Sequence, residues 1–307
     1  MLRLVVLGSG ASLPTLQRQT AAAALQRDGD VLLLDCGEGT QLQWRHAGLR
    51  FSKLRYICIS HLHGDHVNGL VGFLQTLSLT GRLAPLTLVG PLGLAAYLRA
   101  ARRHLGLRLT YELEVEEHDG GLVLEAAGYK IYCAALDHGM PTLGFSLVEE
   151  KRPGKFDVQG AMRLGVPEGP LYGQLQRGQT VELANGQVVH PDQVLGPSRP
   201  GCKVAYCVDT RPCEAAIDLA RGADLLVCDA TFTEELAEEA DRRGHCTAAQ
   251  AAQMSRQADV RQLLLTHISA RYHDPRPLLQ EAAAVFSCSQ VAEDLMEVTL
   301  GAAQEER

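Results

Sequence analysis

An apolar run at residues 56–59 passes straight into Ser60-His61-Leu62-His63-Gly64-Asp65-His66, so four potential metal ligands fall within six residues. Imidazoles and a carboxylate suit Zn²⁺ or a similar divalent ion. Alternation aims His61 and His63 to one side of an extended loop, and Gly64 leaves the backbone free to turn sharply behind them. Asp65 and His66 enter a helical pattern that continues to about Leu79, and from there they face a neighbouring position. Such a loop serves two metals rather than one. A loop that is histidine-rich by chance is a poor account of polar residues packed between a buried strand and an amphipathic helix.

Two metals need further donors from distant segments, and that requirement constrains the fold. Three candidates share one context, each standing at or just past the end of an apolar, strand-like run: His138 after IYCAAL, Asp209 after VAYCV and His267 after QLLLT. Ligands at the ends of several strands of one sheet converge on a single edge. A carboxylate such as Asp209 can bridge two cations, one oxygen to each. His46, His104, His118 and His190 lack that context and read as surface residues; His273 is left open.

The rest of the chain reads as alternating strands and helices. Strands are expected at 2–7, 31–34, 56–59, 86–89, 111–115, 129–134, 144–148, 204–208, 225–228 and 262–266, from short apolar runs rich in β-branched residues. A helix is expected at about 92–104, and a second one opens at Thr247, where Gln250 completes the spacing of a capping box. The glycines of Gly8-Ser9-Gly10 only weakly mimic a dinucleotide fingerprint, since the third glycine is missing and Pro14 stands where a helix would start. Residues 149–200 are rich in Gly and Pro and lack a helical or strand period, so they read as an insertion or projecting arm. The polar tail from Gln304 is expected to fray. The class is α/β, layered with helices outside sheets.

Composition excludes two alternatives. With 46% hydrophobic residues in 307 and no long polar tract, disorder is not the main state. A net charge of -7 disfavours a generally basic, non-specific nucleic-acid binder; a polyanion would have to be met by a local patch or by metal ions. Nine scattered cysteines, none in C-x-x-C spacing, argue against a thiolate zinc knuckle. The start holds no signal-peptide core, and no apolar run approaches the roughly 18 residues that span a bilayer. The expectation is a reduced, cytoplasmic protein with no membrane partner.

The motif HLHGDH with a later His, an Asp and a final His resembles the metallo-β-lactamase superfamily. More narrowly the chain resembles the short-form ribonuclease Z family, the tRNA 3′-processing endonucleases. The resemblance rests on LGSGAS (7–12), LLDCGEGTQ (33–41), SHLHGDHVNGL (60–70), LDHGMPTLGF (136–145), GPLYGQL (169–175), DTRPC (209–213) and LTHISARY (265–272), in the family's order over nearly the whole chain. It implies a four-layer αββα sandwich, residues 1–307 as a single domain, with residues 151–195 inserted as a flexible arm for tRNA. It assigns His61, His63 and His138 to one zinc, Asp65, His66 and His267 to the other, and Asp209 as the bridge. It thus implies two Zn²⁺ per chain, with other divalent ions as the alternative. Asp65 would be the general base and His245, in GHCTA, a catalytic histidine.

Two departures from the family stand out. Cys246 intervenes before Thr247, and Asp229 stands where the family commonly has Glu, one methylene longer. The implied reaction hydrolyses one phosphodiester of precursor tRNA, removes the 3′ trailer and leaves a 3′-hydroxyl on the tRNA. A homodimer is implied as well.

For substrate grip, Arg271 is a candidate phosphate clamp through its fork of donors, and Lys151, Arg152 and Lys155 lie in the arm. Residues 151–177 hold five cations against Asp157 and Glu168, a local +3. Gln174 and Gln176 stand where the family often has lysines, which weakens that hold. The alternative is a phosphodiesterase or other hydrolase of small substrates on the same scaffold, which would not need the arm. A non-catalytic binding relative is disfavoured by the complete ligand set.

Overall fold

The computed structural model describes residues 2–301, so the tail from Gln304 lies outside the described residues. Strands β1 (Leu2–Gly8), β2 (Ala22–Arg27), β3 (Asp30–Leu34), β4 (Leu54–Cys58), β5 (Leu86–Pro91) and β6 (Leu113–His118) form one seven-stranded sheet with the last strand, β16 (Glu297–Leu300), in the order β16-β1-β2-β3-β4-β5-β6. The second sheet is built from β7 (Gly120–Ala126), β8 (Tyr129–Ala135), β9 (Leu143–Glu149), β12 (Lys203–Cys207), β13 (Leu225–Asp229), β14 (Leu263–Thr266) and β15 (Ser289–Val291), in the order β15-β14-β13-β12-β9-β8-β7. Both sheets are mixed. β3 to β6 run parallel, as do β12 to β15, while β1, β2 and β16 pair antiparallel.

Helices cover each sheet. Trp44, Phe73, Leu74, Leu77, Leu94 and Leu98 bury their side chains with β1, β3, β4 and β5. Ala216, Ala220, Ala251, Met254, Leu278 and Ala282 do the same with β12, β13 and β14. The small residues of the helix Ala248–Gln257 are what allow that close approach. This is the αββα arrangement expected from the sequence. Thr247 begins that helix with the predicted capping box: its hydroxyl accepts from Gln250 N at 3.2 Å, and Gln250 Oε1 accepts from Thr247 N at 2.9 Å.

Parallel strands send their carboxyl ends to one edge, where the connections leave the sheet. Asp35 follows β3, Ser60 and His61 follow β4, Asp209 follows β12, Asp229 ends β13, and His267 follows β14. Three of these, Asp35, Asp209 and His267, have positive φ of 57°, 53° and 59°. Non-glycine residues in the left-handed region cost on the order of 1–3 kcal/mol and persist where surrounding structure holds them. The chain therefore bends sharply at the positions where functional side chains emerge. Gly37 lies under the same edge, and a Cβ there would overlap the Asp65 carbonyl oxygen.

The chain divides into two compact units. One comprises residues up to Ala126, Lys130–Val148 and the chain from Cys202; the other comprises Ala127–Tyr129 and Glu149–Gly201. The second unit, expected to lack regular structure, has two short helices, Val158–Arg163 and Pro170–Gln176, and a hairpin of β10 (Val181–Glu182) and β11 (Val188–Val189). It buries its own small core of Ala161, Val166, Leu175, Val181, Val189 and Val194. Asp157 caps the first helix by accepting from Gly160 N at 2.8 Å.

Candidate metal centre

All seven predicted donors, His61, His63, Asp65, His66, His138, Asp209 and His267, meet at this edge. His61 Nε2 stands 3.0 Å from His63 Nδ1, which stands 3.2 Å from His138 Nε2. His66 Nε2 and His267 Nε2 are 3.3 Å apart, and Asp65 Oδ2 lies 3.2 Å from His267 Nε2. Asp209 sits between the groups, with Oδ2 at 3.4 Å from both His61 and His66 Nε2 and Oδ1 at 3.2 Å from His267 Nε2. The donor atoms of His61, His63, His138 and Asp209 lie within 4.8 Å of one another, and so do those of Asp65, His66 and His267.

These residues fit a metal. Donors at about 2.0–2.1 Å around a tetrahedral ion stand roughly 3.3 Å from one another, which is the spacing found. Asp209 Oδ1 is buried and accepts no hydrogen bond, although His267 lies beside it. A buried, unsatisfied carboxylate oxygen is costly unless a cation or another donor faces it.

Four imidazoles present Nε2 to the cluster because their Nδ1 is anchored outside it. His66 Nδ1 donates to Asp35 Oδ2 at 2.8 Å, His138 Nδ1 to Gly244 O at 2.8 Å, His267 Nδ1 to Thr231 Oγ1 at 2.8 Å, and His61 Nδ1 to Ser60 Oγ at 3.0 Å. Such outer partners fix the tautomer and aim the lone pair. Asp35 is itself fully buried and accepts from Ser60 N, Ser60 Oγ and Tyr206 OH at 2.6, 2.9 and 3.0 Å.

Charge follows from this packing. Burial, then the neighbouring imidazoles, holds His61, His63 and His138 below the usual histidine range, which favours their neutral form. Burial works against the charge of Asp209, but His267, His66 and His61 outweigh it and keep the carboxyl well below its ordinary range. Asp65 is lowered in the same way by His267 and His66, and its Oδ2 also accepts from Ser12 N at 2.7 Å.

His245 stands beside the cluster, its ring centroid 5.3 Å from that of His138 and 5.2 Å from that of His267. Its Nδ1 donates to Asp229 Oδ2 at 2.8 Å. Burial alone would pull its pKa down, but the charge and hydrogen bond of Asp229, with Asp209 behind, hold it up at about 9. The shorter Asp at this position therefore still reaches the imidazole. Asp229 also accepts from Thr210 N, Thr231 N and Thr231 Oγ1, which occupies both its oxygens. Cys246 turns inward, its thiol donating to Thr210 O at 2.9 Å.

An open cleft of about 420 Å³ is lined by Asp65, His63, His138, Asp209, His245 and His267, with Ser12, Gly64, Asn68 and Arg243 also on its walls. Arg271 is not among the lining residues. Its guanidinium lies over the Phe232 ring at 4.9 Å, and Nη2 is 3.4 Å from Glu239 Oε1. Lys151, Arg152 and Lys155 belong to the second unit, where Arg152 pairs with Glu149.

Sequence reasoning assigned no role to Asp35, Ser60, Tyr206, Thr231 or Gly244. Asp35 carried a usable signal, since it follows an apolar strand as the ligands do. Tyr206 and Gly244 carried none.

Residues 184–268 match the β-lactamase superfamily domain, and residues 2–99 match the model described as anti-Pycsar protein Apyc1. The fold is shared with a metallo-β-lactamase fold protein of Bacillus subtilis at TM-score 0.68, with 18% identity over 97% of this chain and 98% of that one. Two sheets with this order, helices outside and donors gathered at the strand ends define a metallo-β-lactamase fold. Within that fold the relatives are specific. Ribonuclease Z of Methanosarcina acetivorans is 44% identical over 98% of both chains, and that of Salinibacter ruber 46% over 98% of this chain and 95% of its own. The crystal structure of human tRNase Z, short form, aligns at TM-score 0.70 and 25% identity, covering 97% of this chain and 99% of that one. The chain belongs to the ribonuclease Z family.

Proposed function

We propose that this protein is a metal-dependent endoribonuclease that removes the 3′ trailer of precursor tRNA, hydrolysing one phosphodiester and leaving a 3′-hydroxyl on the tRNA. The observation that carries this is the convergence of seven donors from four segments on one open cleft, in a ribonuclease Z relative. His61, His63 and His138 would hold one ion and Asp65, His66 and His267 the other, with Asp209 available to both. Five imidazoles and two carboxylates suit zinc. A pair of such ions, when bound, offsets the charge of the phosphodiester and lowers the pKa of a water.

The chain's own groups supply the rest. Asp65 orients the attacking water or accepts its proton; as a ligand it would be a weak base, so orientation is its larger part. His245, kept as an imidazolium by Asp229, donates to the departing 3′-oxygen. We assign the 151–195 segment as the arm that grips tRNA, through Lys151, Arg152 and Lys155, with Arg271 as a further phosphate contact. The active form is a cytoplasmic homodimer. The described residues include no helix long and apolar enough to cross a membrane.

The test is cleavage of a 3′-extended precursor tRNA before and after chelator treatment. Activity lost on chelation and restored by Zn²⁺ supports the reading. Full activity in metal-free protein contradicts it.

A further inference from the structure

We infer that Arg243 is a substrate-binding residue, gripping a non-bridging oxygen of the phosphodiester held in the cleft, with Glu239 as the tether that aims it. The inference rests on the proposed function and names a contact of that same site. Apart from histidines, the charged residues on the cleft walls are, among the described residues, Asp65 and Asp209, both anionic, and a single arginine, Arg243. The proposed substrate is an anion, and Arg243 is the side chain on that wall that offers it a fixed positive charge and free N–H donors.

Arg243 is the last residue of the helix Ala237–Arg243. Gly244 follows at φ 80° and turns the chain, so that His245 emerges directly after it. The Arg243 side chain is 57% exposed, and its Nη2 meets Glu239 Oε1 at 2.9 Å. The same Glu239 oxygen faces Nη2 of Arg271, whose guanidinium stacks on Phe232, and Phe232 packs 6.0 Å from the His245 ring.

One carboxylate thus holds two guanidiniums beside the proposed acid. Only one edge of each fork is used, and the remaining Arg243 donors have no partner among the described residues. An exposed i,i+4 pair adds little to stability, so the fold does not require it. What the tether does is restrict a long, flexible side chain before substrate arrives, which lowers the entropy lost on binding. The planar fork suits two phosphate oxygens.

The test compares wild type, R243A, R243K and E239Q on 3′-extended precursor tRNA and on bis(p-nitrophenyl) phosphate. R243A should raise KM on both substrates by about tenfold with a smaller effect on kcat, and reduce the salt dependence of kcat/KM on the tRNA by about one phosphate contact. R243K should restore the salt dependence but only part of the KM. E239Q should raise KM while leaving the salt dependence intact. A merely structural arginine, favoured at a helix C-terminus by the dipole, would shift the melting temperature and neither KM. R243A with wild-type KM on both substrates overturns the inference. Wild type that hydrolyses the small diester but not the tRNA contradicts the proposed function instead, and the KM of the small diester still reads the Arg243 contact.

Discussion

Asp229 illustrates how much one residue decides. Four donors converge on its two oxygens, and one of them is the Nδ1 of His245, where its charge has its chemical consequence. Because Asp229 favours the imidazolium, the acid form of His245 is complete below its pKa of about 9 and is lost as pH rises through it. Asp229→Asn keeps the shape and removes the charge. It should move the alkaline limb of the kcat profile to lower pH and cut kcat on precursor tRNA by roughly a hundredfold near that limb. An unchanged limb would exclude His245 as the acid. Gly244 is the second such position. A Cβ there would lie 2.6 Å from His138 Nδ1, and φ is positive, so Gly244→Ala displaces the carbonyl that anchors His138. Loss of an outer partner typically weakens metal affinity about 10–100-fold. Competition with a chromogenic chelator should show that loss at one of the two ions, with the other retained.

At the scale of elements, the strand ends were the legible part. Each of the seven donors could be found because it follows an apolar run or sits in one dense motif. Asp35 obeys the same rule and was open to the same reasoning. Other features were hidden for physical reasons. β2 is alanine-rich and has no β-branched residue, so its sequence says little about strand. β7 opens on two glycines and is largely exposed. In the second unit the helices span six and seven residues and the strands two, too short for a period to show. Tyr206 reads as core, and only the fold shows that its hydroxyl supports Asp35. The Thr247 cap was legible because a capping box is local. Thr247→Ala should cost about 1 kcal/mol and lower Tm by about 2–4 °C in thermal unfolding, with metal content unchanged. The helix it starts follows directly on His245, so a kcat loss larger than the stability loss would show that the cap also positions the acid.

Over the whole molecule, a net charge of -7 accompanies a polyanionic substrate. The proposed answer is concentrated positive charge: the two proposed divalent ions and Arg243 at the cleft, and a local +3 in residues 151–177. Replacing residues 151–195 with a short Gly/Ser bridge should lower kcat/KM on precursor tRNA by roughly a hundredfold or more and leave bis(p-nitrophenyl) phosphate hydrolysis nearly intact. Equal loss on both would mean that the segment supports the fold rather than the substrate. The most direct measurement is to map both product ends after the zinc-loaded protein meets a 3′-extended precursor tRNA. One cut just past the acceptor stem is expected, with a 3′-hydroxyl on the tRNA and a 5′-phosphate on the trailer. An intact precursor, or a 3′-phosphate on the tRNA, would contradict it.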